Sequence, residues 1–398
     1  MSNTILTPTA VTREILRVLH QKANFIGTIN RQYDDSFAQS GAKIGDSLKI
    51  RLPNQYSVRS GATLNVQETT ESSVTLQIAT QKGVDMYFTD TELTLSLDDF
   101  SKRIIEPAVS VLVANVEADA MTMYKNVYNQ ANQATITSPL TLATLLGGRK
   151  KMGDFCVPVS PRIANLTTQN NVDLVDALKA LFHDSSAIRE QYREGMMGRT
   201  AGYDFYENSL WARHTSGTET NTMDINGANQ TGASVTVTNG SSKTLKAGDI
   251  ITLEGTNAVH PESKADLGYL KQFVVTADVS PSGTSISISP SIITSGPTQN
   301  VTASPTTTGA VTKVGGASGQ MDISMLYHPD AFTFATADLV LPKGVDFAAR
   351  ESLDGISVRL VRDYDINNDI FPCRLDILYG YKALRPEMAC RLASNSSA

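Results

Sequence analysis

Between Ser96 and Ala131 the apolar positions recur at steps of three and four: Phe100, Ile104, Ile105, Val109, Leu112, Val113, Val116, Ala120, Met123, Tyr124 and Val127. This spacing predicts a helix with one buried stripe, leaving Lys102, Arg103, Glu117, Asp119 and Lys125 mostly outside it. Ser96 with Asp99 three residues on is a capping start, and Asp98 and Asp99 suit the positive end of the helix dipole. Pro107 cannot donate a backbone hydrogen bond and crowds the preceding turn, so a kink or short break is expected there. Fully helical, about 35 residues would span roughly 50 Å. A rod of that length exceeds the width of a small domain and suits the backbone of something extended.

Upstream, Val11, Ile15, Leu16, Val18 and Leu19 form a short apolar face behind the helix-start signal Thr7-Pro8, in a helix expected to fade near Asn24. Such a face either packs on its own domain or reaches a neighbouring chain as an arm. From Gly41 to Asp90 the period changes to two. Leu48, Ile50 and Leu52 alternate with Ser47, Lys49 and Arg51, and Val74, Leu76 and Ile78 alternate with Thr75, Gln77 and Ala79. The stretch between them is polar, so the pair predicts a long hairpin that cannot bury both faces by itself. Either it lies across its parent domain or it lies across another subunit.

Beyond the long helix, Leu142, Leu145 and Leu146 predict a short helix ending in Arg149-Lys150-Lys151. Val157, Val159 and Ile163 predict a buried strand interrupted by prolines, Val172 to Phe182 an amphipathic helix, and Gly202 a turn leading into a strand through Tyr206. From about Ser216 to Ser318 charged residues thin out and Ser, Thr, Gly and Asn dominate. Short strands at 234–238, 249–253, 272–279 and 285–289 predict a separate small β-barrel or sandwich, followed by a linker at 298–312. Ordinary globular sequence resumes at Met321 and ends in strands at 356–361 and 373–379. Normal sequence on both sides of the β-rich block argues that it is inserted into a host domain.

Composition narrows the function classes. The 398 residues, 41% hydrophobic and 19% charged, suffice for two or three domains with packed cores. The formal net charge of −6 supplies no electrostatic reason to bind nucleic acid. Cys156, Cys373 and Cys390 stand far apart with no C-x-x-C, as expected of thiols kept in a reducing compartment. The opening M-S-N-T-I-L-T-P-T has no basic region before an apolar run, and no segment approaches about 18 uninterrupted apolar residues. Neither a secretion signal nor a membrane span is expected, and the reading is a soluble cytoplasmic product.

Chemistry-bearing motifs are not expected. Asp363, Asp365, Asn367 and Asp369 stand at calcium-loop spacing, yet Asn368 occupies the glycine position and Arg374 the position of the bidentate glutamate. A polar turn between two strands accounts for the same residues. His20, His183, His214, His260 and His328 show no H-x-x-x-H pairing, and Gly315 to Gly319 is no nucleophile elbow because Gln320 follows. The pairs Asp34/Asp35 and Asp98/Asp99 read as surface or cap groups. No catalytic residue, cofactor or metal is expected.

The most specific stretch closes the chain: Ile356-Ser357-Val358-Arg359, Arg362-Asp363-Tyr364-Asp365, Arg374-Leu375-Asp376-Ile377-Leu378-Tyr379-Gly380 and Leu384-Arg385-Pro386-Glu387. It resembles the C-terminus of the major capsid proteins of tailed double-stranded DNA bacteriophages, in the branch typified by short-tailed Salmonella phages. F-S-K-R-I-I-E-P-A in the long helix, G-x-x-A-G-Y-D-F-Y-E-N before the insert, and Ala247 to Gly255 with Phe273 to Thr276 inside it are similar to the same family. The resemblance implies an α+β, Hong-Kong-97-like capsid fold. Its parts would be an N-terminal arm (1–38), an extended β-hairpin loop (39–83), and a spine helix with part of a peripheral domain (84–134). An apical and peripheral α/β region (135–215), an inserted all-β barrel (216–318) and a return to the apical and peripheral domains with C-terminal strands (319–398) would follow.

The resemblance further implies a structural protein that self-assembles, in the host cytoplasm, into hexamers and pentamers of an icosahedral head shell within the virion. Its implied partners are a scaffolding protein, a portal protein and a decoration protein, with packaged DNA held only by enclosure and no membrane. An encapsulin-like compartment of the same fold, enclosing cargo enzymes, is the alternative. Assembly contacts are expected at Arg51, Arg59, Glu68 and Glu71 on the extended loop and at Ile15 and Leu19 on the arm.

Overall fold

The computed structural model describes residues 15, 23–31, 47–59, 61–64, 66, 71–88, 106–132, 139–178, 199–240, 242–315, 319–353, 356–366 and 371–394. In chain order these begin with α1 (Asn24–Thr28), β1 (Ser47–Arg51), β2 (Ser73–Gln77), β3 (Thr80–Phe88) and α2 (Glu106–Met121). A 3-10 turn at Thr122–Asn126 leads to β4 (Gln130–Asn132), α3 (Leu142–Asp154), β5 (Ile163–Leu166) and α4 (Thr168–Leu178). Next come β6 (Arg199–Thr200), β7 (Tyr203–Glu207), β8 (His214–Thr215), β9 (Met223–Ile225), β10 (Gly232–Thr238) and β11 (Ile250–Val259). Then follow β12 (Asp266–Val275), β13 (Ser285–Ile292), β14 (Ala310–Lys313), β15 (Gln320–Tyr327) and β16 (Phe332–Ala337). The series closes with β17 (Phe347–Leu353), β18 (Ile356–Arg362), β19 (Phe371–Ala383) and β20 (Ala389–Ser394).

One compact unit comprises Met1–Ile50, Ser73–Met121 and Phe332–Leu384. Its sheet runs β16-β19-β18-β17, and the long β19 also pairs antiparallel with β3. The stripe of α2 is buried as its spacing predicts, at Val109, Leu112, Val113, Val116 and Ala120. Glu117, expected off the stripe, is buried as well, and its carboxylate accepts the backbone N–H of Phe25. α1 stands where the N-terminal helix was expected to fade. Phe25 packs on Phe332 with ring centroids 5.8 Å apart, and Asn30 bridges to Thr333, so this segment lies on its own unit. The hairpin base does the same. Ile50, Leu76 and Ile78 share a core with Ala335, Ala337, Leu378 and Leu384, which covers the face that two strands alone leave bare.

The expected single helix to Ala131 is shorter at its C-terminal end. α2 stops at Met121, a 3-10 turn follows, and Gln130–Asn132 is a strand paired parallel with β20. Backbone partners offered by a distant strand edge decide the conformation there, and helical spacing of Met123, Tyr124 and Val127 cannot report them. Ser96 to Ile105, with the expected capping start, lies outside the described residues.

The other unit comprises Arg51–Ser72, Thr122–Ala331 and Arg385–Ala398. It holds a seven-stranded sheet in the order β4-β20-β15-β5-β7-β6, with β8 also on β15. α3 is capped by Thr141, whose hydroxyl accepts from Thr144 N at 3.4 Å. Ala201 and Gly202 turn the chain between β6 and β7 with φ of 53° and 84°. The inserted block is a closed barrel of β10-β13-β12-β11-β14-β9. Val235 and Val237 point inward while Ser234, Thr236 and Thr238 face solvent, the alternation that one buried face demands. The linker expected at 298–312 is corrected. Val301 and Val311 are core residues, and β14 pairs with both β11 and β9, so this stretch closes the barrel. Entry and exit meet where β8 pairs with the start of β15, Met321 opposite His214.

Candidate assembly surface and the barrel junction

Past the bond from Leu52 N to Ser72 O (2.9 Å), the described part of the hairpin tip exposes Tyr56, Val58, Leu64 and Val66. Val58 is 95% exposed, and none of the four is covered by the described residues. Arg51 and Glu71 close the neck with an exposed ion pair of 3.0 Å. Arg59 turns back on its own loop, donating to the carbonyls of Gly61 and Thr63. Glu68 and Leu19 lie outside the described residues, whereas Ile15 is buried within the chain. Other apolar side chains are exposed as well, Val111, Val159 and Val172 among them, and sequence reasoning passed over the two barest, Val340 and Ile366. The cue for the first is the apolar run Leu339-Val340-Leu341 ending at Pro342 and Gly344.

Beneath the barrel, the second unit gathers buried polar groups that no motif announced. Arg391 on β20 is fully buried; its Nε and Nη2 donate to Val127 O (2.8 and 2.7 Å) and its Nη1 to Gly248 O (2.7 Å). It therefore ties the seven-stranded sheet to the barrel turn Lys246-Ala247-Gly248-Asp249. Burial lowers its pKa to about 10, which leaves it cationic at neutral pH. In that turn Asp249 accepts from Lys246 N (2.8 Å), Gly217 N (2.9 Å) and His214 Nε2 (2.9 Å), while His214 Nδ1 meets the Tyr124 hydroxyl at 3.2 Å. Burial pushes the Asp249 carboxyl up, but these donors outweigh it and hold the group below the usual carboxylate range.

Gln272 of β12 treats β4 as a strand would. Its Oε1 accepts from Gln130 N (2.8 Å) and its Nε2 donates to Gln130 O (3.1 Å), so a side chain caps the edge of the seven-stranded sheet. Lys151 Nζ reaches both the Gln130 carbonyl (2.6 Å) and Gln272 Oε1 (2.5 Å). Tyr128 joins Ile250 and Val274 in an apolar cluster across the same junction. Lys313, also buried, donates to Ser216 Oγ (3.1 Å) and to Gly217 O. The junction thus binds its cations with carbonyls, amides and rings more than with carboxylates.

Nothing in these groups assembles a catalytic constellation. Asp363 and Asp365 are described and Asn367 and Asp369 are not; among the described residues no group of three His, Cys, Asp or Glu is arranged for a metal. No helix among them is long and apolar enough to cross a membrane.

A family model described as "P22 coat protein - gene protein 5" matches residues 7–392. Comparison with curated protein sequences finds no match. Similar solved structures include a chain of Mycobacterium phage Che8 (11% identity, 92% of this chain and 88% of that one, TM-score 0.47). The capsid structure of the cyanophage P-SCSP1u gives 10% identity, 90% and 86% coverage and a TM-score of 0.45. The virus-like particle from Pyrococcus furiosus gives 9%, 96% and 98%, and 0.39.

Proposed function

The chain belongs to the P22 coat protein family, and from that premise we propose that its hairpin tip is the contact through which copies close into an icosahedral shell of hexamers and pentamers. The protein is a phage major capsid protein; it assembles with copies of itself into the head shell of the virion, a structural role without catalysis. The observation that supports the tip is its contrast with its base: Ile50, Leu76 and Ile78 are buried in their own unit while Tyr56, Val58, Leu64 and Val66 are bare. Apolar side chains left uncovered in one loop mark an interaction site. Arg51, Arg59, Glu68 and Glu71 flank them and set the register by charge; Leu19 extends the contact from the arm, which Ile15 anchors. Repeated around a closed symmetric shell, contacts that are individually weak become collectively stable.

On this reading the chain divides into arm (1–38), extended loop (39–83), spine (84–134), apical region (135–215), inserted barrel (216–318) and return (319–398). A scaffolding protein guides assembly, a portal protein occupies one vertex, and a decoration protein covers the outside; DNA is enclosed without specific contact. Expression together with the scaffolding protein of the same phage should give closed round shells in negative stain. A product that stays monomeric under all such conditions overturns the proposal.

A further inference from the structure

Lys271 of β12 is 2% exposed, and its partners are two rings of the host part of the same unit. Its Nζ lies 4.1 Å from the centroid of Phe155, just past α3, and 4.5 Å from that of Tyr128, just before β4. The two rings meet edge to face, 6.3 Å apart. Among the described residues the one carboxylate that acts on this nitrogen, Glu387, makes no hydrogen bond to it, although a buried ammonium ordinarily requires a paired carboxylate. The charges acting on Lys271 are of mixed sign, Lys151 from α3 and Glu387 from the turn before β20. One step out, Arg385, Glu387 and Tyr269 act on Tyr128, and Lys150, Asp154 and Cys390 act on Lys151. Lys151 adds a repelling charge; Glu387 attracts from farther than an ion pair.

Two ring faces recover less than the hydration that an ammonium loses on complete burial. We propose that Lys271 is a proton-sensitive latch between barrel and host: the neutral amine packs between the rings, and proton uptake loosens the barrel's seat. Burial lowers the pKa of Lys271 from 10.5 to about 7 in the seated barrel. Between these values the unseated lysine holds a proton that the seated one has released, so seating strengthens as pH rises through that window and is weakest below it. The inference concerns the single subunit, is independent of the shell-contact reading above, and is tested on unassembled chain.

Hydrogen exchange of the full-length protein, corrected for intrinsic rates, should show the amides of β4 and β12 gaining protection on the order of 10–100-fold from about pH 6 to about pH 9. Lys271→Met should cut that rise severalfold, leaving only the part contributed by Lys151, whose pKa burial also lowers. Protection that is flat or falls with pH in the wild type, or a rise that is undiminished in Lys271→Met, overturns the latch. If Lys271→Met does not fold, Lys151→Met decides. It keeps Lys271 and removes the neighbouring positive charge, so the onset of the rise should move to higher pH, and an unmoved onset overturns the proposal.

Discussion

A β-carbon on Gly380 would lie 2.2 Å from the backbone oxygen of Gln77, which cannot swing aside as a side chain would. The hairpin base crosses β19 at this point, so the glycine is needed for close approach. Gly380→Ala should destabilise the subunit by about 1–3 kcal/mol, read as a lower urea midpoint of the purified chain. Asp249 makes a second residue-level test. Its carboxyl is held below the ordinary value of 3.8, so its contribution is complete above that value and disappears as pH falls through the lowered one. Urea midpoints measured against pH should therefore drop below about pH 4 in the wild type. Asp249→Asn should lie lower at neutrality and lack that part of the acid drop, because its amide does not titrate; parallel curves would refute the assignment.

At the scale of elements, the barrel is the part with the most complete internal account. Met223, Ile225, Val235, Val237, Phe273, Val275, Ile286, Ile288 and Val311 share one core, and closure leaves no free strand edge. Each fully buried aliphatic or aromatic side chain contributes about 1.5–3 kcal/mol, so the core can offset the ordering of a domain this size. The cations buried at the junction become hydrated when the barrel is cut free, which removes a cost. An isolated fragment covering 216–318 should melt in one cooperative transition by circular dichroism; a gradual loss of signal would show that the host is required. The spine makes the opposite point. Its stripe was legible from Val109 to Ala120, but α2 ends at Met121 because β20 supplies strand partners to Gln130, Ala131 and Asn132.

At the scale of the whole molecule, the exposed neck pair of the hairpin separates stability from assembly. Arg51 and Glu71 are 76% and 51% exposed in their side chains, and pairs of that kind contribute about 0–1 kcal/mol. Glu71→Lys should leave the melting temperature of the unassembled subunit nearly unchanged while cutting shell yield severalfold in negative stain and sedimentation. A variant that assembles like the wild type would remove this pair from the proposed contact. The family assignment rests on a match to nearly the whole chain, residues 7–392.

The amino-acid sequence by itself determined the α+β class, the spine stripe, the alternating strands and the inserted β block, because each is written in short-range periodicity or in a change of composition. It also carried the family likeness, through the ordered motifs from Ile356 to Glu387. Only the tertiary structure decided where the barrel closes, since β14 had to find β9 and β11 across long loops. The same holds for the junction. Lys271 reads as one more polar position in a strand, and Tyr128 and Phe155, distant in sequence, enclose its amine. Burial is a property of what packs against a residue, and local pattern contains no information about partners that the chain brings from far away.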